Sequence, residues 1–197
     1  MLEKLKGIAK DVIELALENN AEQVSLSLAN SNSFQIDVRD KKIESLQESG
    51  SSGIHITVSK NKRRSTLSSN DLSLSTLAPL MRSTLESLTF MGEDLFYSLP
   101  NPKLQGRADC NLDVLDPQFA MIKPEEKIQY PFNLEELSNK KDQRLRTEQS
   151  FFSDSISHIV HADSNGFLEG ESKTLYSMGI SMVADDNSNF SDEIIDS

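Results

Sequence analysis

The stretch VSLSLANSNSFQIDV, Val24 to Val38, decides the fold class. Val24, Leu26 and Leu28 alternate with small polar residues, and so do Phe34, Ile36 and Val38 after an Asn-Ser segment that reads as a turn. Successive side chains of a strand point to opposite faces, so a period of two buries one face and wets the other. Ile54, Ile56 and Val58 repeat the pattern after the loose ESGSSG, Glu48 to Gly53. A further short strand is expected around Ile43 and Leu46. Residues 64–68 are expected to pair back across the turn at Lys60–Arg64. These are half-buried antiparallel strands.

On both sides the period changes. Residues 2–19 place Leu2, Leu5, Ile8, Ala9, Val12, Ile13 and Ala16 on one stripe of a helix, and Asn19 and Asn20 suit its end. A second helix is expected over 73–90, with Leu77, Leu80, Met81, Leu85 and Leu88 on its stripe, Asp71 or Ser73 as its cap and Pro79 in or just past the first turn. A third starts at Pro124, with Glu125 and Glu126 in its first turn. Pro131 removes a hydrogen bond there, which predicts a kink near Tyr130 and a second segment through Leu134 and Leu137. The fold class is therefore α+β: an antiparallel sheet of meander and hairpins with two to three helices packed on one face.

The expected organisation is a helix–strands–helix unit over 1–91, an extended linker over 92–123 that wraps the domain, and a kinked helix plus β-hairpin over 124–197 that completes the same domain. The linker holds Pro100, Pro102 and Pro117 and shows no period, and its LFYSLP cluster is expected to pack on the sheet. Residues 183–197 carry five acids and no base and are expected to fray.

Charge and cysteine content narrow the function. Thirty-one acids against 20 bases give a net charge of −11, which repels a phosphate backbone. The one basic cluster, Lys60–Arg64, contains no aromatic side chain for base stacking and reads as a solvated turn. No nucleic acid and no membrane is expected as a partner. The apolar runs fall far short of the roughly 20 residues that span a bilayer, and the start does not read as a secretory signal. A single cysteine, Cys110, fits a reducing compartment and a cytoplasmic location. Asp109 and Asp113 beside it would disfavour a thiolate, so it reads as inert.

Two of the three histidines, His158 and His161, lie three apart in HIVHADSNG, with Asp163 two residues on. On a helix they would converge as metal ligands; on a strand they diverge. Asn165-Gly166 signals a two-residue hairpin turn, so the segment is a strand. That turn sets Ser164 against Phe167, His161 against Gly170 and His158 against Lys173. His161 then joins Ile159, Leu168, Tyr176, Met178 and Ile180 on the core face, and His158 is exposed. His55 falls on the polar side of its strand. The sequence contains no HExxH, HExxxH, GxSxG, P-loop or GxGxxG motif. No catalytic residue and no metal ligand is assigned, and the substrate or partner contacts are unknown.

The order of these pieces resembles a known family. VRDKKIESLQESGSSGIHITV, STLSSNDLSLSTL, LPNPKL, LDVLDP, KPEEKI, RLRTEQSFFSD and ADSNGFLEGESKTLYSMGISMVADD are together similar to the N-terminal part of the PmbA/TldD family, once called modulators of DNA gyrase, and more to its PmbA (TldE) branch. The resemblance implies a cytoplasmic two-subunit metallopeptidase that processes or degrades unfolded peptides. It implies a TldD-like subunit or self-association as partner. A zinc HExxxH helix belongs to the TldD branch, so no cofactor is expected in this chain. The C-terminal domain of the family is expected to be absent, which makes this chain a non-catalytic part, inactive alone. The alternative is a stand-alone peptide- or protein-binding module, or a gyrase-modulating partner protein.

Overall fold

A computed structural model describes residues 1–106, 112–141 and 144–184. Helix α1 covers Leu2–Glu18 and strand β1 covers Gln23–Arg39. Strands β2 (Lys42–Lys60) and β3 (Arg63–Ser69) and helix α2 (Leu74–Ser87) follow. After short 3-10 turns come helix α3 (Pro124–Asn139) and strands β4 (Leu145–Asp163) and β5 (Leu168–Ala184). The strands form one antiparallel sheet in the order β3-β2-β1-β4-β5. The α+β class read from the periodicities is the observed one. Fraying was expected of residues 183–197, and all but Val183 and Ala184 lie outside the described residues.

Two tight turns build the first half. Asp40 and Lys41 join β1 to β2, and Asn61 and Lys62 join β2 to β3, all four with φ between 48° and 58°. Two consecutive residues of positive φ make the hairpin turn whose twist matches that of the flanking strands. From it β2 and β3 pair Lys60 with Arg63, Val58 with Ser65 and Ile56 with Leu67.

The chain divides into two compact units. The first comprises Met1–Ser31, Gly50–Val114 and Ser157–Lys173. Its core joins Leu5, Ala9, Val12 and Ala16 of α1 and Leu77 and Met81 of α2 to Val24, Leu26, Leu28, Ile54, Ile56, Val58 and Val160 of the strands. The stripe of each helix thus covers the apolar face of alternating strands, as the two periods require. Ser73 holds the N-cap position of α2 without a side-chain cap bond; Asp71 instead accepts from the Ser73 N–H at 2.9 Å and the Thr76 hydroxyl at 2.6 Å. Those bonds, the Thr76 one foremost, hold its carboxyl below the usual range.

The second unit comprises Asn32–Ser49, Leu115–Ile156 and Thr174–Ser197, described to Ala184. Phe34, Ile36, Val38 and Phe152 form its core, with Ile128 and Phe132 of α3 against them. Several of its buried polar groups are satisfied across elements. The Glu135 carboxylate accepts the Lys41 N–H at 3.1 and 3.3 Å, which closes the β1–β2 turn against α3. Asp37 accepts from Ser45, Gln35 and Gln149. Burial, then its bond to Asp116 at 2.7 Å, pushes the Tyr176 hydroxyl up to about 12.

Local expectations are corrected in two strands and in the LFYSLP cluster. The Asn-Ser segment does not break β1, and ESGSSG does not break β2. Asn30 donates to the Ser51 carbonyl at 3.3 Å, and the hydroxyls of Ser33 and Ser49 meet at 2.8 Å, so polar residues continue the pairing where apolar alternation lapses. Helix α3 is assigned as one helix through Pro131. The Pro131 ring is buried, and its carbonyl accepts from the Ser150 hydroxyl at 3.1 Å, which ties this part of α3 to β4. LFYSLP packs only in part: Leu99 is buried, whereas Leu95 and Phe96 face outward.

Glycines give a stability test. A Cβ at Gly170 would lie 2.9 Å from the Ile159 carbonyl oxygen and from side-chain carbons of Val160 and Leu2, whereas one at Gly7, exposed in mid-α1, would meet nothing. Gly170→Ala should therefore destabilise the chain by about 1–3 kcal/mol. Gly7→Ala should stabilise it by about 0.5–1 kcal/mol. Urea midpoints of the two variants check both signs.

Candidate functional site

HIVHADSNG ends β4 and forms the turn to β5, all within the first unit. The Asp163 N–H donates to the Phe167 carbonyl at 2.9 Å, and the Gly166 N–H donates to the Asp163 carbonyl at 3.2 Å. Only Gly166 has positive φ, at 97°. The loop is therefore three residues long, Ser164 to Gly166, rather than the two-residue Asn165-Gly166 turn. The Asp163 carboxylate organises it: one oxygen accepts the N–H groups of Asn165 and Phe167 at 2.8 and 3.1 Å, the other accepts Gln105 Nε2 at 2.6 Å. Ser164 exchanges bonds with Val24 through its N–H and its hydroxyl, and Asn165 Nδ2 donates to the Pro100 carbonyl at 3.2 Å.

The extra loop residue shifts the hairpin register by one, and a one-residue slip exchanges faces. His158 lies beside Ser172, with Nδ1 at 2.7 Å from its hydroxyl, not beside Lys173. It is half-buried on the side of Val160 and Ala162, which are core residues. His161 points to the other face and is exposed. The expected burial of the two histidines is thus reversed, while their divergence from each other holds. Burial, then the charge of the chain's amino terminus, pushes the His158 imidazole below its usual value.

The helix-free face of the first unit carries a cleft of about 410 Å³. Ser25, Ser27 and Thr57 form its floor, between His55 and His161. Tyr97, Leu99, Pro100 and Phe167 form an apolar wall. Alternation explains the floor: Val24, Leu26 and Leu28 face the helices, so the serines between them face away. His55 is exposed and joined through Nδ1 to the Ser68 hydroxyl at 2.9 Å. Sequence reasoning read His55 as an isolated polar position; the signal it lacked was the long-range order of strands that sets β2 and β4 on either side of β1.

The two arginines of the basic hairpin are paired. Arg63 lies 3.8 Å from Glu93, and Arg64 lies 3.2 Å from Asp94 and over the Tyr97 ring. In the second unit Lys127 sits 2.6 Å from the buried Asp154 and over the rings of Phe34 and Phe119. The approach to Asp154 is too oblique for a hydrogen bond, so this is a charge pair that braces α3 on β4. Cys110 lies outside the described residues.

The comparisons with known proteins agree with this order of elements. Residues 24–88 match the PmbA/TldA metallopeptidase domain 1, and residues 117–195 match the PmbA/TldA metallopeptidase central domain. The chain belongs to the PmbA/TldD family. It is 22% identical over 190 residues to a protein named metalloprotease PmbA from Escherichia coli O157:H7, covering 94% of this chain and 42% of that one. A PmbA homolog of Buchnera aphidicola is 25% identical over 183 residues, covering 92% and 40%. The chain thus spans about two fifths of the length of these curated relatives. The fold is that of a Bacteroides thetaiotaomicron protein titled as a candidate modulator of DNA gyrase (TM-score 0.77, 24% identity, 88% of this chain and 39% of that one). It is also that of TldE from Thermococcus kodakarensis (TM-score 0.75, 14% identity, 92% and 40%).

A metallopeptidase name implies a metal, and the residues described here do not fit one. Among them no three His, Cys, Asp or Glu side chains converge, and Asp163, the acid nearest the histidines in sequence, is committed to its turn.

The lowered His158 sets a pH dependence. Between its folded value and the ordinary 6.5 the unfolded chain binds the extra proton, so this contribution to stability is present above pH 6.5 and is lost as pH falls through the folded value. The urea midpoint should fall as pH drops below about 6.5, and His158→Gln should flatten that part of the profile. An unchanged profile in the variant would assign the dependence elsewhere.

Proposed function

We propose that this chain is a non-catalytic N-terminal part of a PmbA-type subunit in a cytoplasmic two-subunit metallopeptidase that processes or degrades unfolded peptides. The observation that carries the reading is the match to two consecutive domains of one metallopeptidase family in chain order, joined to a histidine pair whose side chains diverge. Zinc chemistry belongs, in this reading, to a TldD-type partner. The role of these residues is to shape a peptide chamber and to meet the partner.

The exposed aromatic residues support a partner surface. Phe90 and Phe96 keep 90% and 96% of their surface in solvent, and Leu104 keeps 85%. Clustered apolar side chains left this open suit an association surface, and residues 90–96 bring two phenylalanines into one short segment.

Light scattering after mixing with a purified TldD-type subunit tests the reading. A 1:1 complex is expected, with raised cleavage of an unfolded peptide by the partner. Phe96→Asp should weaken the complex by about tenfold or more without changing the circular dichroism spectrum. Absence of a complex, together with unchanged cleavage, would refute it.

A further inference from the structure

The cleft on the helix-free face of the first unit is an open site that neither the domain matches nor the relatives assign. Its charged neighbours are already committed. Asp163, the one acid among the described lining residues, accepts three hydrogen bonds from Gln105, Asn165 and Phe167. Arg64, which stacks on the lining Tyr97 at 4.9 Å, is paired with Asp94. What the pocket offers is a set of groups that both donate and accept: the hydroxyls of Ser25, Ser27 and Thr57 and the imidazoles of His55 and His161. His55 uses Nδ1 on Ser68, which leaves Nε2, and the His161 imidazole makes no hydrogen bond among the described residues.

This chemistry selects a ligand class. A phosphate or nucleotide is favoured by cationic donors, yet no Lys or Arg is among the described lining residues, and Arg64 beside Tyr97 is paired with Asp94. A metal would require a converging donor set, which the described residues lack. Paired donors and acceptors beside an apolar wall of Tyr97, Leu99, Pro100 and Phe167 match an uncharged chain of amides bearing small apolar side chains. His55 on β2 and His161 on β4 flank β1, which places their backbones two strand spacings, roughly 10 Å, apart. That span suits carbonyls of an extended segment rather than a single small group.

We infer that this cleft is a binding site for a short, extended, uncharged peptide segment, held by His55, His161 and the Ser25–Ser27–Thr57 floor. The choice of a peptide rests on the peptide-handling function proposed above; the exclusion of anion and metal rests on the pocket alone.

The test is fluorescence anisotropy of the full chain with a labelled, end-blocked, unstructured peptide of Ala, Ser, Val and Leu. Binding is expected, and Ser27→Arg, which fills the floor from a half-buried position, should weaken it by about tenfold or more. The double variant His55→Ala/His161→Ala should weaken it similarly, with the urea midpoint as a check that both variants fold. Affinity within about twofold of the parent in both variants, or no binding by the parent, overturns the inference. So does tighter binding of the same peptide carrying a phosphoserine, or binding that appears only with added zinc. A chain that joins its TldD-type partner yet fails this assay overturns the pocket alone. A chain that binds peptide through the cleft yet forms no complex overturns the subunit reading alone.

Discussion

The carboxylate of Asp163 fixes the turn on which the candidate site depends. It is buried, and three donors from two parts of the chain converge on it. A carboxylate so bound resists any loop of another length, because a different turn would strand a buried charge without its partners. The three-residue loop sets the start of β5, and the start of β5 decides which side chains meet those of β4. From that register follow the contact of His158 with Ser172, the close fit of Gly170 against Val160, and the release of His161 to the open face. Through Gln105 the same carboxylate fastens the loop that walls the cleft.

Much of this was legible in the sequence. Residues 2–19 and 73–90 read as helices because their apolar stripes are long and unbroken, and both are helices here. The hairpin at Asn61–Lys62 was legible because a basic polar cluster separates two alternating runs. The errors have physical causes. Hydrophobic alternation cannot reveal a strand that continues on polar pairs, as at Asn30 and Ser33, because its partners are far away in sequence. The hairpin error was avoidable. Asp163-Ser-Asn-Gly166 places Asp first and Gly fourth, the composition of a type I turn followed by a left-handed glycine, and this competes with the two-residue Asn-Gly reading.

The candidate site was less legible than the fold. Each histidine was placed on a strand from local parity, but a pocket needs three strands and a loop brought together. His55, Ser27, His161 and Tyr97 are far apart in sequence and share only a face. The family resemblance identified an architecture and implied a function, yet it placed no functional residue on this chain. The uncommitted imidazoles and hydroxyls became visible only once the sheet order was known.

The register of the β4–β5 hairpin is the central claim, and cysteine cross-linking reads it directly. In a Cys110→Ser background, His158→Cys with Ser172→Cys should close an intramolecular disulfide under mild oxidation, because facing strand residues lie about 4.5–5.5 Å apart, within disulfide reach. His158→Cys with Lys173→Cys should not, since adjacent strand residues point to opposite faces. Efficient closure of the second pair and not the first would contradict the register, the placement of both histidines and the pocket built on them.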